Sequence, residues 1–246
     1  MEAIDVVGAI EQIRKKQTER ISTGRKNPTT CKEAFKFITP VYDDPIVVER
    51  KPDLSHYGIK DGYAHMTFDK LKAWGAPPID RDAYNNAFKY GVHIREHVAA
   101  GRGLILLGPV GTGKTSLAIS ILRKAIDQGY KGCFISMVSL FDTMLTLIDG
   151  SAEHRLRFEN RIKNSPLLVL DDFGAEYDNK LVVQKVNAII SDRVESRRPT
   201  ILTTNLSVSQ LQARYDARIY DRLKATSFVL KFEGQSKREA PNISEI

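Results

Sequence analysis

Eight consecutive residues have the types and spacing to do chemistry on phosphate: Gly108, Pro109, Val110, Gly111, Thr112, Gly113, Lys114 and Thr115. The glycines let a loop wrap so tightly that backbone N–H groups converge on phosphate oxygens. Lys114 is spaced to reach β- and γ-phosphates, and the Thr115 hydroxyl to hold Mg²⁺. Ser116 carries the turn into a helix whose N-terminal dipole end adds positive potential. A G-x-x-x-x-G-K-[ST] pattern has meaning only between a strand and a helix. Here it follows the apolar run Leu104-Ile105-Leu106-Leu107 and precedes an apolar-periodic stretch from Ser116 to Gln128. ATP and Mg²⁺ are the expected cofactors.

A second group complements the first. Leu167-Leu168-Val169-Leu170 runs directly into Asp171-Asp172. A continuous aliphatic run predicts a strand buried on both faces of a parallel sheet, and its carboxyl end is where open α/β sheets place ligands. Asp171 is positioned to support Mg²⁺, directly or through water, and Asp172 to orient or deprotonate an attacking water. Thr200 to Asn205 reads as another strand with a polar end, whose amide would hydrogen-bond the water or the γ-phosphate. Arg214, Arg218 and Arg222 recur every fourth residue, on one face of a helix through Ala217 to Leu223. That stripe is either a solvated basic face or a source of an arginine finger for a neighbouring subunit.

The elements that must carry these residues alternate between strand and helix. Cys133 to Met137 and Ser227 to Phe232 read as further strands, and Leu140 to Ile148, Lys180 to Val194 and Ser207 to Ala213 as helices. Gly129 is placed to end the helix after the phosphate loop. Upstream, one helix is expected from Arg81 to Val98, and the turn-rich stretch from Arg50 to Gly62 reads as a connector. Glu2 to Arg20 reads as an amphipathic helix, and Phe35 to Val48 as a short apolar piece interrupted by Pro40 and Pro45.

The chain of 246 residues is long enough for one P-loop core and a smaller N-terminal region. Its net charge of +7 suits a polyanionic partner, nucleic acid first. Cys31 and Cys133 are the two cysteines and form no C-x-x-C pair, so zinc and a disulfide framework are not expected. His93 and His97 lie a helical turn apart without a third ligand at metal spacing and read as structural. No leader or membrane-length apolar run is visible, and a cytoplasmic location is expected.

Together these residues resemble the DnaC/DnaI/IstB group of AAA+ ATPases, whose members load replicative helicases or assist transposases. The resemblance rests on the phosphate loop, on Leu167 to Glu176, on Arg198 to Asn205, on Arg218-Ile219-Tyr220-Asp221-Arg222-Leu223 and on Gly234 to Arg238. It implies an α/β AAA+ fold, a parallel sheet flanked by helices, over residues 63–246. A small, mainly helical partner-binding region would occupy residues 1–62. It also implies sensing of the γ-phosphate by Asn205, a trans-acting finger at Arg222 or Arg218, and a nucleotide-contacting role for Arg238. Asp172 stands where many relatives carry glutamate, and its shorter side chain suits slow, switch-like hydrolysis.

The expected function is ATP-dependent loading of a hexameric replicative DNA helicase by an oligomer that binds single-stranded DNA. Its basic segment from Arg155 to Lys163 would face the strand. The alternatives are a transposition helper assembling on double-stranded DNA and, from another class, a monomeric small-molecule kinase.

Overall fold

The computed structural model describes residues 53–147, 150–175, 180–215 and 217–237. Contacts divide the chain between Arg50 and Lys51, and every described residue belongs to the second unit. The helix expected from Glu2 to Arg20, the piece from Phe35 to Val48, Cys31 and Arg238 lie outside the described residues.

Among the described residues five strands form the core: β1 (Gly103–Leu107), β2 (Cys133–Ser136), β3 (Leu168–Asp171), β4 (Thr200–Thr204) and β5 (Ser227–Lys231). The helices are α1 (Phe68–Trp74), α2 (Arg81–Val92), α3 (Ile94–Ala100), α4 (Lys114–Asp127), α5 (Met137–Thr146), α6 (Ala152–Asn164), α7 (Lys180–Glu195), α8 (Val208–Arg214) and α9 (Ala217–Thr226). The sheet is ordered β2-β3-β4-β1-β5, and all its pairings are parallel. β1, β3 and β4 sit inside the sheet and are buried along their whole length. Their unbroken aliphatic runs follow from that, because a central parallel strand is covered on both faces.

Alternate side chains of each strand feed opposite faces. Leu104, Leu106, Val169 and Ile201 join Leu117, Ile121 and Ala125 of α4 and Ala83 and Ala87 of α2 in one layer. Ile105, Leu107, Leu168, Leu170 and Leu202 join Val186, Ile189 and Ile190 of α7 and Ile219 and Leu223 of α9 in the other. Each fully buried aliphatic side chain contributes about 1.5–3 kcal/mol, so the two layers dominate stability. Cys133 is buried in the second layer, as its apolar neighbours imply.

Several expectations change. The single helix from Arg81 to Val98 is two, because His93 leaves helical geometry at φ −94°, ψ 26°. Gly91 and the β-branched Val92 just before it are weak helix formers. A β-carbon at Gly91 would lie 2.2 Å from the Phe68 ring, so any larger residue there would have to displace that ring. The helix expected from Leu140 starts at Met137, where the Ser136 hydroxyl caps it by accepting from the Ser139 N–H at 3.2 Å.

The stripe of arginines is also interrupted. Arg214 closes α8, Tyr215 is extended (φ −108°, ψ 149°), and only Arg218 and Arg222 share α9. The stretch read as a connector is, from Asp53 onward, packed on the core. Two 3-10 turns, Leu54–Tyr57 and Asp61–Tyr63, flank Ile59, which is fully buried. Gly58 abuts the Phe134 carbonyl, covering the outer edge of β2.

Candidate active site

The carboxyl ends of β1, β3 and β4 converge, and each delivers part of the site. β1 leads into the phosphate loop, whose glycines all take positive φ: Gly108 at 150°, Gly111 at 82° and Gly113 at 86°. A β-carbon on Gly108 would lie 2.3 Å from the Phe232 carbonyl oxygen, and one on Gly113 would lie 2.5 Å from the Tyr84 hydroxyl. The loop is braced internally by the Thr112 hydroxyl, which donates to the Pro109 carbonyl at 3.0 Å. It is braced externally by the Tyr84 hydroxyl, which donates to the Thr112 carbonyl at 2.8 Å. Burial pushes the Tyr84 phenol up to about 12, so it stays a donor at any physiological pH.

Lys114 opens α4 and is buried. Its ammonium donates to the carbonyls of Gly108 (2.7 Å) and Pro109 (2.6 Å) and to Oδ1 of Asn205 (2.9 Å). The loop lysine and the amide expected to face the γ-phosphate are thus in direct contact across the sheet. The Thr115 hydroxyl donates to Oδ1 of Asp171 at 2.9 Å. Hydroxyl and carboxylate at that separation fit Mg²⁺, which takes few protein ligands and fills the rest with phosphate and water. Among the described residues no cluster of three His, Cys, Asp or Glu offers a larger metal site. His93 instead pairs with Glu96, and His97 stacks on Tyr90.

Asp171 is buried at the end of β3, and burial raises its pKa above the ordinary carboxylate value despite the Thr203 and Thr115 hydroxyls that oppose the shift. Asp172, the next residue, is exposed and held at φ 54°. A left-handed aspartate at a strand end is a strained conformation that surrounding contacts must impose. Those contacts come from β4. The Thr203 hydroxyl donates to Asp171 at 2.6 Å and accepts the Asp172 N–H at 2.9 Å, and the Phe173 N–H donates to the Thr203 carbonyl at 2.7 Å.

Val110, Gly111, Gly113, Lys114, Thr115, Ser116, Asp172 and Asn205 line one cavity of about 490 Å³, which the side chains of Tyr63, Met66, Trp74, Tyr84 and Lys237 complete. Arg218 and Arg222 are not among its walls. The Arg222 guanidinium lies on α7, donating to the Ser191 hydroxyl at 2.5 Å and facing Glu195 at 3.8 Å.

The cavity has the volume for a nucleotide, loop amides for its phosphates and a hydroxyl–carboxylate pair for its cation. A family model described as an IstB-like ATP binding protein matches residues 93–243. The chain belongs to that family. It is an ATP-binding AAA+ ATPase, and the expected fold of a parallel sheet flanked by helices holds.

Among relatives of this IstB-like chain, the replicative helicase loader DnaC of Escherichia coli (strain K12) is 28% identical over 168 residues. That alignment covers 68% of the chain and 66% of the relative, just under two thirds of its length. The replicative helicase loader DnaI of Bacillus subtilis (strain 168) is 25% identical over 152 residues, 56% of the chain and 48% of the relative. A crystal structure of the DnaC helicase loader superposes with a TM-score of 0.59 at 26% identity, covering 70% of the chain and 99% of that structure. AMPPCP-bound DnaA from Aquifex aeolicus shares the fold at a TM-score of 0.54 and 20% identity, over 68% of the chain and 50% of that structure.

Six residues of this site were not singled out from the sequence: Thr203, Tyr63, Met66, Trp74, Tyr84 and Lys237. Thr203 carried one local signal, a hydroxyl near the carboxyl end of a strand that also holds Thr200 and Thr204. Tyr63, Met66, Trp74, Tyr84 and Lys237 carried none, since they reach the cavity from other parts of the fold.

Proposed function

We propose that the chain is an ATP-controlled loader of a replicative DNA helicase. The observation that carries the reading is the family fold, with its complete phosphate and acid set, in a chain similar to proteins named helicase loaders. In this reading Lys114 and the loop amides hold the phosphates, and Thr115 and Asp171 hold Mg²⁺. Asp172 takes a proton from, or orients, the attacking water, and Asn205 positions it. Mg²⁺ would neutralise charge developing on the transferred phosphoryl group. Arg238 would contact the nucleotide from the C-terminal side.

Oligomers would form with Arg222 or Arg218 reaching a neighbouring molecule's phosphates, which requires Arg222 to leave Ser191 and Glu195. Residues 1–62 would grip the helicase. Single-stranded DNA would lie along α6. There Arg157 pairs with Glu153 at 2.6 Å and Arg161 donates to the His56 carbonyl at 2.6 Å. Arg155 and Lys163 add positive charge on another side of α6, and Arg161 holds the turn at Leu54–Tyr57 as much as it offers charge.

The test is loading of the hexameric helicase onto single-stranded circular DNA with the full chain and ATP. Lys114→Ala should load little helicase; loading at the unaltered level refutes the switch. A second reading, a helper that recruits a transposase to double-stranded DNA, is favoured by the family model that matches the chain. Recovery of a transposase rather than a hexameric helicase with the intact chain and ATP would establish it.

A further inference from the structure

The residues after β5 form a strap across the phosphate loop. Phe232 donates its N–H to the Leu107 carbonyl at 2.7 Å, extending the β1–β5 ladder to the start of the loop. Glu233 and Gly234 then donate their N–H groups to the Asp80 carboxylate at 2.7 and 3.1 Å. Asp80 is buried at 1% exposure, at the end of a 3-10 turn that leads into α2. A β-carbon at Gly234 would lie 2.4 Å from that carboxylate, so the contact is close-fitting. Three residues on, the Lys237 N–H donates to the Gly111 carbonyl at 2.9 Å, at the tip of the phosphate loop.

This path places the Lys237 side chain in the nucleotide cavity. Its ammonium lies 4.7 Å from the centre of the Tyr84 ring and donates to the Gly75 carbonyl. Lys114 and Lys237 are the cations among the cavity's described walls, and each ammonium is held by neutral backbone carbonyls. A phosphate oxygen is a stronger acceptor for an ammonium than an amide carbonyl, because charge-assisted hydrogen bonds are roughly twice as strong as neutral ones. Burial lowers the Lys237 pKa, so the ammonium has already given up part of its hydration.

We infer that Lys237 is a second cationic ligand of the bound nucleotide's phosphates, delivered by the strap and positioned by the Asp80 carboxylate. The inference rests on the nucleotide reading of the cavity and adds to it a contact from the far end of the ATPase unit. The side chain exchanges the Gly75 carbonyl for a phosphate oxygen. Asp80 touches no nucleotide. It is a positioning residue, acting through the backbone of Glu233 and Gly234.

The test is titration of the full chain, wild type and Lys237→Gln, with ATP, ADP and adenosine in the presence of Mg²⁺. Trp74, the single tryptophan and part of the cavity wall, reports binding by fluorescence. Lys237→Gln should weaken ATP and ADP about tenfold, the expected loss of one charged hydrogen bond, and leave adenosine unchanged. Lys237→Arg should recover most of the loss. Asp80→Asn should weaken ATP binding in the wild-type background and much less once Lys237 is glutamine. Equal Kd values for ATP in wild type and Lys237→Gln overturn the inference, as does an equal loss for adenosine. Failure of the wild type itself to bind ATP would instead refute the nucleotide reading beneath it.

Discussion

Arg193 is fully buried, and the groups that hold its guanidinium are neutral. It donates to the Thr200 hydroxyl (2.9 Å) and to the carbonyls of Ile162 (2.9 Å), Lys163 (3.0 Å), Ser165 (2.9 Å) and Pro199 (2.7 Å). Burial pushes its pKa down to about 9, which leaves it charged at neutral pH. One side chain thereby caps the end of α6 and fixes the entry into β4. Arg193→Met should lower stability by about 3–5 kcal/mol in urea unfolding, because several carbonyls lose their donor at once. Arg193→Lys should recover little, since an ammonium cannot reproduce the planar fork. Asp171 presents the opposite case. Its raised pKa means folding disfavours its ionised form, so at any pH above that pKa the charge subtracts from stability. Asp171→Asn should therefore raise the Tm of the nucleotide-free chain while removing Mg²⁺-dependent hydrolysis. The sign also sets a pH effect. As pH falls toward the raised pKa, protons compete for the carboxylate, so Mg²⁺ affinity should decline at a higher pH than for an ordinary aspartate. Titrations of Mg²⁺ against pH would measure this.

Among the elements, the phosphate loop tolerates little change. A β-carbon on Gly111 would lie 2.0 Å from the Ser236 hydroxyl, at φ 82°. Gly111→Ala should cost about 1–2 kcal/mol from the left-handed backbone, with displacement of the strap added. Nucleotide affinity should fall with it, measured by thermal unfolding and ADP titration. What the sequence made legible divides along the same line. The loop, Asp171 and α4 were readable because strand, turn and helix follow one another locally. β4 was readable as a strand, yet the bond from Thr203 to Asp171 was not, because it depends on β4 lying directly beside β3. The break at His93 was missed because an apolar period continues across it, whereas the end of α8 falls within a residue of the expected boundary. Nothing near Asp80 in sequence marks it as the anchor of a segment after β5.

At the scale of the molecule, no helix among the described residues is long and apolar enough to cross a membrane. The net charge of +7 sets the expectation for nucleic acid. If α6 lies along a single strand, Arg155→Glu with Arg157→Glu should weaken binding and flatten the dependence of log K on log salt. The expected change in slope is about 0.7 for each phosphate that is no longer neutralised. Filter binding across a salt series would read the slope, and an unchanged slope would move the strand elsewhere. β1 bears on how such a molecule is assembled. It is made early, but one of its neighbours, β5, and the strap beyond it are made after every other described strand and helix. During synthesis, therefore, the loop and Tyr84 are made well before β5 and the strap, which brace the loop from the far side. A nascent chain stopped short of Lys237 would carry the motif with Tyr84, Lys114, Thr115 and Asp171 in place but without the strap, so ATP should stabilise it less than the full chain.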